Sequence, residues 1–447
     1  MRYIIKFGLL LYLLLTLYTI YIITFEWNKI NLLLVFIIFS SLNYYTIWKN
    51  KSELFSPQFF LSLLFYISYI LPVYFLSIGY KGNNLYGEID MFNNHDLISQ
   101  ALWISFFGYM GVLISLRIFK NYQSSILKKI SKSIYVHKFN YFQLFLCLLW
   151  FVFSAFIRIR FNLGAAGRVP SIQFAGVLQY IFYDGNLILF SYLLLGALKH
   201  PNIKKLLLVI LLGFILVFTQ ILLGWRGSIF NLILIIFSII WLFANINKLK
   251  LRIPKPLIVI IVFLIPITMQ MGNNVRNQSV NEVENEITSV LDFFEYTSIR
   301  KQGLTRLIYV VANNKKDYTL FNDFFIIDLY KMDRSVVNYI DENYHGISRY
   351  ISHSVGGSGV GTTYLLCGIF GVFISFFLLS TFLILIYNSI KRSTNNDLQI
   401  IIYSSVLTII MYAVSENFDI SVLKRIFVVL LLSIFWGIIL FRRKRVY

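Results

Sequence analysis

Charge is scarce in this chain. Only 13% of its 447 residues are Asp, Glu, Lys or Arg, and 58% are hydrophobic. Soluble domains carry about a quarter charged residues, so the shortage excludes a soluble globular protein. Cysteine occurs only twice, and Cys147 and Cys367 fall in separate apolar runs, which argues against a structural disulfide. No zinc-ligand spacing, phosphate loop, dinucleotide fingerprint or GxSxG elbow is present. The glycine-rich Gly356-Gly357-Ser358-Gly359-Val360-Gly361 lacks the Lys-Ser/Thr ending that a phosphate loop needs. No metal and no cofactor is therefore expected. An internal repeat of the kind found in two-fold transporters is also missing.

What the chain has is apolar length. Mean hydropathy is +0.72 and aromatics reach 18%. Runs of roughly 20 apolar residues alternate with short polar connectors, as helices crossing a bilayer require. Strands of a membrane barrel would alternate polar and apolar residues, and these runs do not. Twelve spans are expected, near 5–25, 30–48, 57–79, 97–116, 140–157, 176–198, 206–224, 227–245, 256–272, 358–388, 398–415 and 423–441. The first is too long, and too soon followed by another, for a cleaved signal peptide. The expected fold is all-α: a polytopic membrane protein of about 12 transmembrane helices. One connector, 273–355, is 83 residues long with helix-spaced apolar positions of its own, the mark of a working segment rather than a tether. The domain reading is nine spans over 1–272, a large partly helical outer loop over 273–355, and three spans over 356–447.

Basic residues orient the chain. With the N-terminus inside, the inner connectors hold 23 of the 40 Lys and Arg, including Lys128, Lys129, Lys132, Lys204, Lys205 and the run Arg442–Arg445. The positive-inside rule then places both termini in the cytoplasm and the long loop outside. Most of the net charge of +20 is a topology signal, so no nucleic-acid partner is implied.

The outer cations become the anomaly. Arg158, Arg160 and Arg168 follow the fifth span with no acid among them. They can be interfacial anchors or phosphate ligands. That all three are Arg favours bidentate phosphate contact, because Lys anchors equally well. Arg226 sits in the outer hairpin Gly224-Trp225-Arg226-Gly227-Ser228, where the same two readings apply. In the long loop Arg276 follows the ninth span, Arg300, Lys301 and Arg306 are grouped, and His345, Arg349 and His353 approach the tenth span. Ile287, Val290, Leu291, Phe294, Leu304, Leu307 and Ile308 recur at helical spacing, which predicts helices packed on the membrane domain. Asp184 lies about two turns into the sixth span, where an ionisable residue is a functional suspect or the partner of an outer Arg such as Arg168. Glu416, Asp419, Lys424 and Arg425 read as a solvated group of charges near the last outer loop.

Arginines from several outer loops, with a few carboxylates and imidazoles, suit an anionic substrate whose apolar tail stays in the bilayer. A lipid pyrophosphate fits. No ATP reaches the outer side, so the energy must come from a bond already activated in the substrate, as in a sugar on polyprenyl pyrophosphate. Arginines would stabilise the departing pyrophosphate, and a His or carboxylate would take the proton of an attacking sugar hydroxyl. Gly356–Gly361 could add backbone N–H groups as an anion nest or simply form a bend.

Gly224-Trp225-Arg226-Gly227-Ser228, and Ser358-Gly359-Val360-Gly361-Thr362-Thr363-Tyr364 running into Cys367-Gly368-Ile369-Phe370-Gly371, together with the span layout, resemble the O-antigen polymerases of Wzy type. The second segment is similar to the Gly-Ser-aromatic segment and following turn that close the large loop in that family. The resemblance implies a fold like that of the GT-C membrane glycosyltransferases, in the bacterial inner membrane. It implies a polymerase joining polyprenyl-pyrophosphate-linked oligosaccharide repeat units into O-antigen or capsular polysaccharide. A ligase using the same donor and a polysaccharide flippase or transporter are the alternatives. By resemblance, Arg158, Arg160, Arg168, Arg276, Arg300, Arg306 and Arg349 bind the pyrophosphates; Arg226 joins them from its place in the outer hairpin, and His345, His353 and Asp184 are the catalytic candidates from their own positions. Partners are the lipid-linked oligosaccharide and membrane lipid, with a chain-length regulator and a flippase as the proteins such a pathway supplies. The chain departs from the family in lacking an acid after the Gly-Ser-aromatic segment, where Leu365, Leu366 and Cys367 stand.

Alanine at Arg168, Arg226 or Arg300 is expected to abolish chain extension while membrane insertion persists, since each lies outside the apolar spans. Lysine should rescue only partly. Full activity in all three alanine variants, measured with lipid-linked repeat units, would contradict the arginine assignment.

Overall fold

Long runs of Leu, Ile, Phe and Tyr without interior charge form helices because only an internally bonded backbone is tolerated in hydrocarbon. The computed structural model describes residues 2–51, 53–78, 93–122, 134, 136, 141–163, 175–200, 203–223, 227–247, 303–313, 358–393, 396–415, 418 and 420–441. Among these the chain is helical and carries no strand. The helices are α1 (Arg2–Ile22), α2 (Ile30–Lys49), α3 (Pro57–Phe65), α4 (Leu71–Ser77), α5 (His95–Ile118), α6 (Tyr141–Arg160) and α7 (Ala175–Lys199). They continue with α8 (Ile203–Leu222), α9 (Gly227–Ile246), α10 (Gly303–Asn313), α11 (Gly359–Arg392), α12 (Asp397–Ser415) and α13 (Ile420–Phe441). A π-helical turn, Tyr66–Ile70, joins α3 to α4 into one span.

Nine helical segments among the described residues are long and apolar enough to cross a membrane, and Leu207–Leu222 and Phe230–Ile246 are shorter apolar helices. These eleven coincide with eleven of the twelve expected spans, and the multi-pass, all-α class holds. The twelfth, 256–272, lies outside the described residues.

The tenth span differs from expectation in one respect. At about 1.5 Å per residue, the 34 residues of α11 would reach ~50 Å, well beyond the ~30 Å hydrocarbon core. The helix is broken at Gly368, whose φ of 65° and ψ of −163° belong to no helix. An L-residue with a Cβ rarely adopts that φ. Gly359–Cys367 therefore forms a short helix of its own, and the long segment begins after the break.

The chain divides into two compact units. Unit 1 holds 1–121, 291–384 and 410–422; unit 2 holds 122–290, 385–409 and 423–447.

In unit 1, α1, α2, α3 and α5 are tied by a line of buried polar contacts. Tyr12 Oη donates to the Ser40 carbonyl at 3.0 Å, Asn43 Nδ2 to the Ser62 carbonyl at 2.8 Å, and Ser62 Oγ lies 2.9 Å from Tyr109 Oη. Without a hydrophobic drive between helices in lipid, such bonds and close packing do the joining. Phe65 packs against Tyr109 and, edge-on, against Phe376 of α11.

The expected loop helix is real where it is described. Residues 303–311 of α10 are all buried, and the helix packs on α5 and on the π-turn. Tyr69 of that turn ties the region together: its hydroxyl donates to the Val414 carbonyl at 2.8 Å and accepts from Val360 N–H at 3.3 Å. The N-terminus of α11 is seated against α12. An ideal Cβ on Gly359 would stand 1.8 Å from the Ala413 carbonyl oxygen, so only glycine permits this approach.

Gly359→Ala is expected to destabilise unit 1 by about 1–3 kcal/mol or more through overpacking. Gly8→Ala, where nothing lies within 4 Å of the new Cβ, should be neutral. Thermal unfolding of the two variants in detergent checks the contrast.

Candidate functional site

Five helices of unit 2 bring polar side chains to one place. Arg158 comes from the last turn of α6, Asp184 from α7, Gln220 from the last turn of α8, Asn231 from the start of α9, and Arg425 from the start of α13. These helices alternate in direction, so all five positions fall toward one end of the unit. The opposite end is marked by Lys199 Nζ on Asp397 Oδ2 at 2.7 Å, by the Val136 N–H on the same oxygen at 2.9 Å, and by Gln143 on the Leu440 carbonyl.

Asp184 is 2% exposed, about 13 Å into α7 at 1.5 Å per residue. Its carboxylate is gripped by Arg425: Nε donates to Oδ2 at 2.9 Å and Nη2 to Oδ1 at 2.7 Å. Arg425 is itself 8% exposed. The two-point fork supplies the geometry a buried ion pair needs to offset desolvation. This corrects the reading of Arg425 as part of a solvated charge group: the position lies just inside an apolar helix, and its partner is 241 residues away in the chain. Asp184 is paired with an arginine, as one of the two readings had it, but with Arg425; Arg168 lies outside the described residues.

The ring of Tyr183 joins the two arginines. Arg425 Cζ lies 5.6 Å from its centroid and Arg158 Cζ 5.3 Å. The Tyr183 hydroxyl accepts from Asn231 Nδ2 at 2.9 Å. Arg158 is fully buried, donates through Nη2 to Gln220 Oε1 at 3.1 Å, and is close enough to Asp184 to feel its charge. Nearby, Asn186 Nδ2 donates to Ser154 Oγ at 2.6 Å. Among the described residues the charged members of this buried cluster are two guanidinium groups and one carboxylate, so these carry a positive charge in excess. A buried cationic excess at the end of a membrane helix bundle can hold an anion.

Of the candidates from the sequence, the structure brings Arg158 and Asp184 into this cluster. Arg160, two residues on, is exposed. Arg306 is buried on α10 in unit 1, where its charge reaches Tyr69. Arg168, Arg226, Arg276, Arg300, Arg349, His345 and His353 lie outside the described residues. An anion nest at the glycine-rich segment finds no support in its described part. Val360 N–H goes to Tyr69, Gly361 N–H to Ser358 Oγ at 3.0 Å and Thr362 N–H to the Ser358 carbonyl at 2.9 Å. Those donors are spent on capping α11 and docking Tyr69. Gln220, Asn231 and Arg425 were missed by sequence reasoning. The available signal was a strongly polar residue one turn inside an apolar span.

Removing one partner of the buried pair should be costly: Asp184→Asn or Arg425→Gln is expected to lower stability by about 3–5 kcal/mol. The double change Asp184→Leu with Arg425→Met should cost clearly less than either. Unfolding midpoints of the three variants in detergent check the order.

Comparison with curated proteins and with solved structures gives no match. The family model described as O-antigen polysaccharide polymerase Wzy matches residues 4–445, nearly the whole chain, which agrees with the apolar helices and with the resemblance of the Trp225 and Ser358 segments. The chain is a multi-pass membrane protein that belongs to the O-antigen polysaccharide polymerase Wzy family.

Proposed function

We propose that this protein polymerises polyprenyl-pyrophosphate-linked oligosaccharide repeat units on the outer face of the cytoplasmic membrane. Both termini lie in the cytoplasm on this reading, and the 273–355 loop faces outward. The growing glycan passes from its lipid pyrophosphate to the nonreducing end of an incoming lipid-linked unit. The observation that carries the reading is the buried cationic excess of the Arg158–Asp184–Arg425 cluster, in a chain whose family builds such polymers. A polymerase of this kind needs a fixed positive site at the depth of a lipid headgroup, and needs no nucleotide.

The reaction follows from those groups. A hydroxyl oxygen of the acceptor sugar attacks the anomeric carbon of the donor. The bond from that carbon to the pyrophosphate oxygen breaks, and lipid pyrophosphate leaves with the electron pair. Arginines stabilise the charge that develops on it: Arg158, with Arg160, Arg168, Arg226, Arg276, Arg300, Arg306 and Arg349 as further candidates. The hydroxyl proton passes to His345, His353 or Asp184. The two-point grip of Arg425 on Asp184 favours a histidine, since both carboxylate oxygens already accept from that guanidinium. A chain-length regulator and a flippase are the protein partners such a pathway supplies.

Deleting and restoring the gene in its host separates the readings. The expected result on a surface-polysaccharide gel is a ladder that collapses to core plus one repeat unit and returns on restoration. Loss of every repeat from the core, with long lipid-linked chains accumulating, would make the protein a ligase. Single units trapped on the cytoplasmic leaflet would make it a transporter.

A further inference from the structure

Beside the ion pair, unit 2 holds a charged group whose donors are largely unspent. Arg158 is 0% exposed, and only its Nη2 meets a protein acceptor, Gln220 Oε1; Nε and Nη1 meet none among the described residues. Gln220 is 3% exposed, and its Nε2 also meets none among them. The guanidinium has no acceptor capacity, so the amide must turn its oxygen toward Arg158 and its nitrogen away. Oε1 and Nε2 share one carbon, as do all three nitrogens of the guanidinium. The unspent donors of both groups therefore lie beside the bond already made.

The nearby acid does not supply the missing acceptor. Both oxygens of Asp184 are engaged by Arg425, and the Tyr183 hydroxyl already accepts from Asn231. Native proteins seldom leave buried donors unmatched, and a buried charge without a counter-charge is costly. Among the described residues, Arg158 and Gln220 keep three unpaired donor atoms and one positive charge that Asp184 does not pair. A cation would be repelled. A phosphoryl oxyanion satisfies both the charge and the donors.

We infer that Gln220 is a ligand-contacting residue of an oxyanion site shared with Arg158. Its amide oxygen holds the guanidinium in place. Its amide nitrogen donates to a bound phosphoryl group together with one unspent guanidinium donor, Nε or Nη1, since those two point apart and do not both reach one group. Among the described residues, Asp184 and Arg425 cancel one another and leave the positive charge of Arg158. The inference rests on the reading that the substrate is phosphate-linked. The same chemistry is offered by the pyrophosphate of a lipid-linked sugar and by the headgroup of an anionic phospholipid.

Gln220→Glu is the informative change. It keeps the side chain's size and strengthens the contact with Arg158, so the helices stay joined. It also neutralises the guanidinium and removes the amide donor. The purified full chain, in nanodiscs of phosphatidylcholine, is titrated separately with polyprenyl pyrophosphate and with phosphatidylglycerol. The expected result is saturable binding of polyprenyl pyrophosphate that weakens about tenfold or more in Gln220→Glu, the loss of a charge-assisted contact, with no fall in unfolding temperature. Gln220→Leu, which removes the amide without adding charge, should weaken binding less and serves if the Glu variant does not fold. Unchanged affinity in the folded variant overturns the inference and leaves the polymerase reading standing. Binding of phosphatidylglycerol alone, lost in the variant, supports the oxyanion site and overturns the lipid-linked donor. Failure of the unmodified protein to bind either lipid overturns both.

Discussion

In hydrocarbon a polar group has only the protein to satisfy it, and the described bundle is arranged around that constraint. The sharpest instance is the two-point contact between Asp184 and Arg425. It joins α7 to α13, allows a carboxylate to stand deep in a span, and cancels a charge that would otherwise compete for any bound anion. Because Arg425 is already engaged, Arg158 is left uncancelled among the described residues of this cluster. The Tyr183 ring between the two arginines, and the Asn231 contact to its hydroxyl, bring α9 into the same arrangement. The proposed chemistry rests on this division: one arginine spent on structure and one whose donors stay largely unpaired.

Unit 1 meets the same constraint differently, with hydroxyls and amides rather than charges. Tyr69 stands on a π-turn, a geometry that breaks the regular helical bonding, and its hydroxyl satisfies backbone groups of α11 and α12. Gly359 lets α11 approach the Ala413 carbonyl, and Ser358 caps the first turn with its own hydroxyl. The glycine-rich segment that read equally as an anion nest or a bend is thus a joint in its described part. Its N–H groups hold the protein together. The break at Gly368 separates this joint from the long helix that follows.

The spans, the all-α class and the family resemblance were legible in the sequence because they depend on local properties. A 20-residue apolar run is sufficient to specify a membrane helix, whatever it packs against. Helix-spaced Leu304, Leu307 and Ile308 likewise announced α10, and all three are buried. Arg158 and Asp184 stood out because charge in or beside an apolar run is rare. Arg425 did not, since Glu416, Asp419 and Lys424 near it made a solvated cluster the simpler reading. Gln220 carried no charge to draw notice.

Composition and hydrophobic spacing by themselves determined that this chain is a multi-pass helical membrane protein and where its described helices run. Each of those follows from transfer of short segments between water and lipid, an energy that neighbouring residues settle among themselves. Only the tertiary structure decided that Arg425 belongs to Asp184, that Gln220 belongs to Arg158, and that Val360 and Gly361 spend their N–H groups on Tyr69 and Ser358. The first two partnerships span 241 and 62 residues. Such pairings are chosen by which helix faces meet, and no local pattern carries that choice.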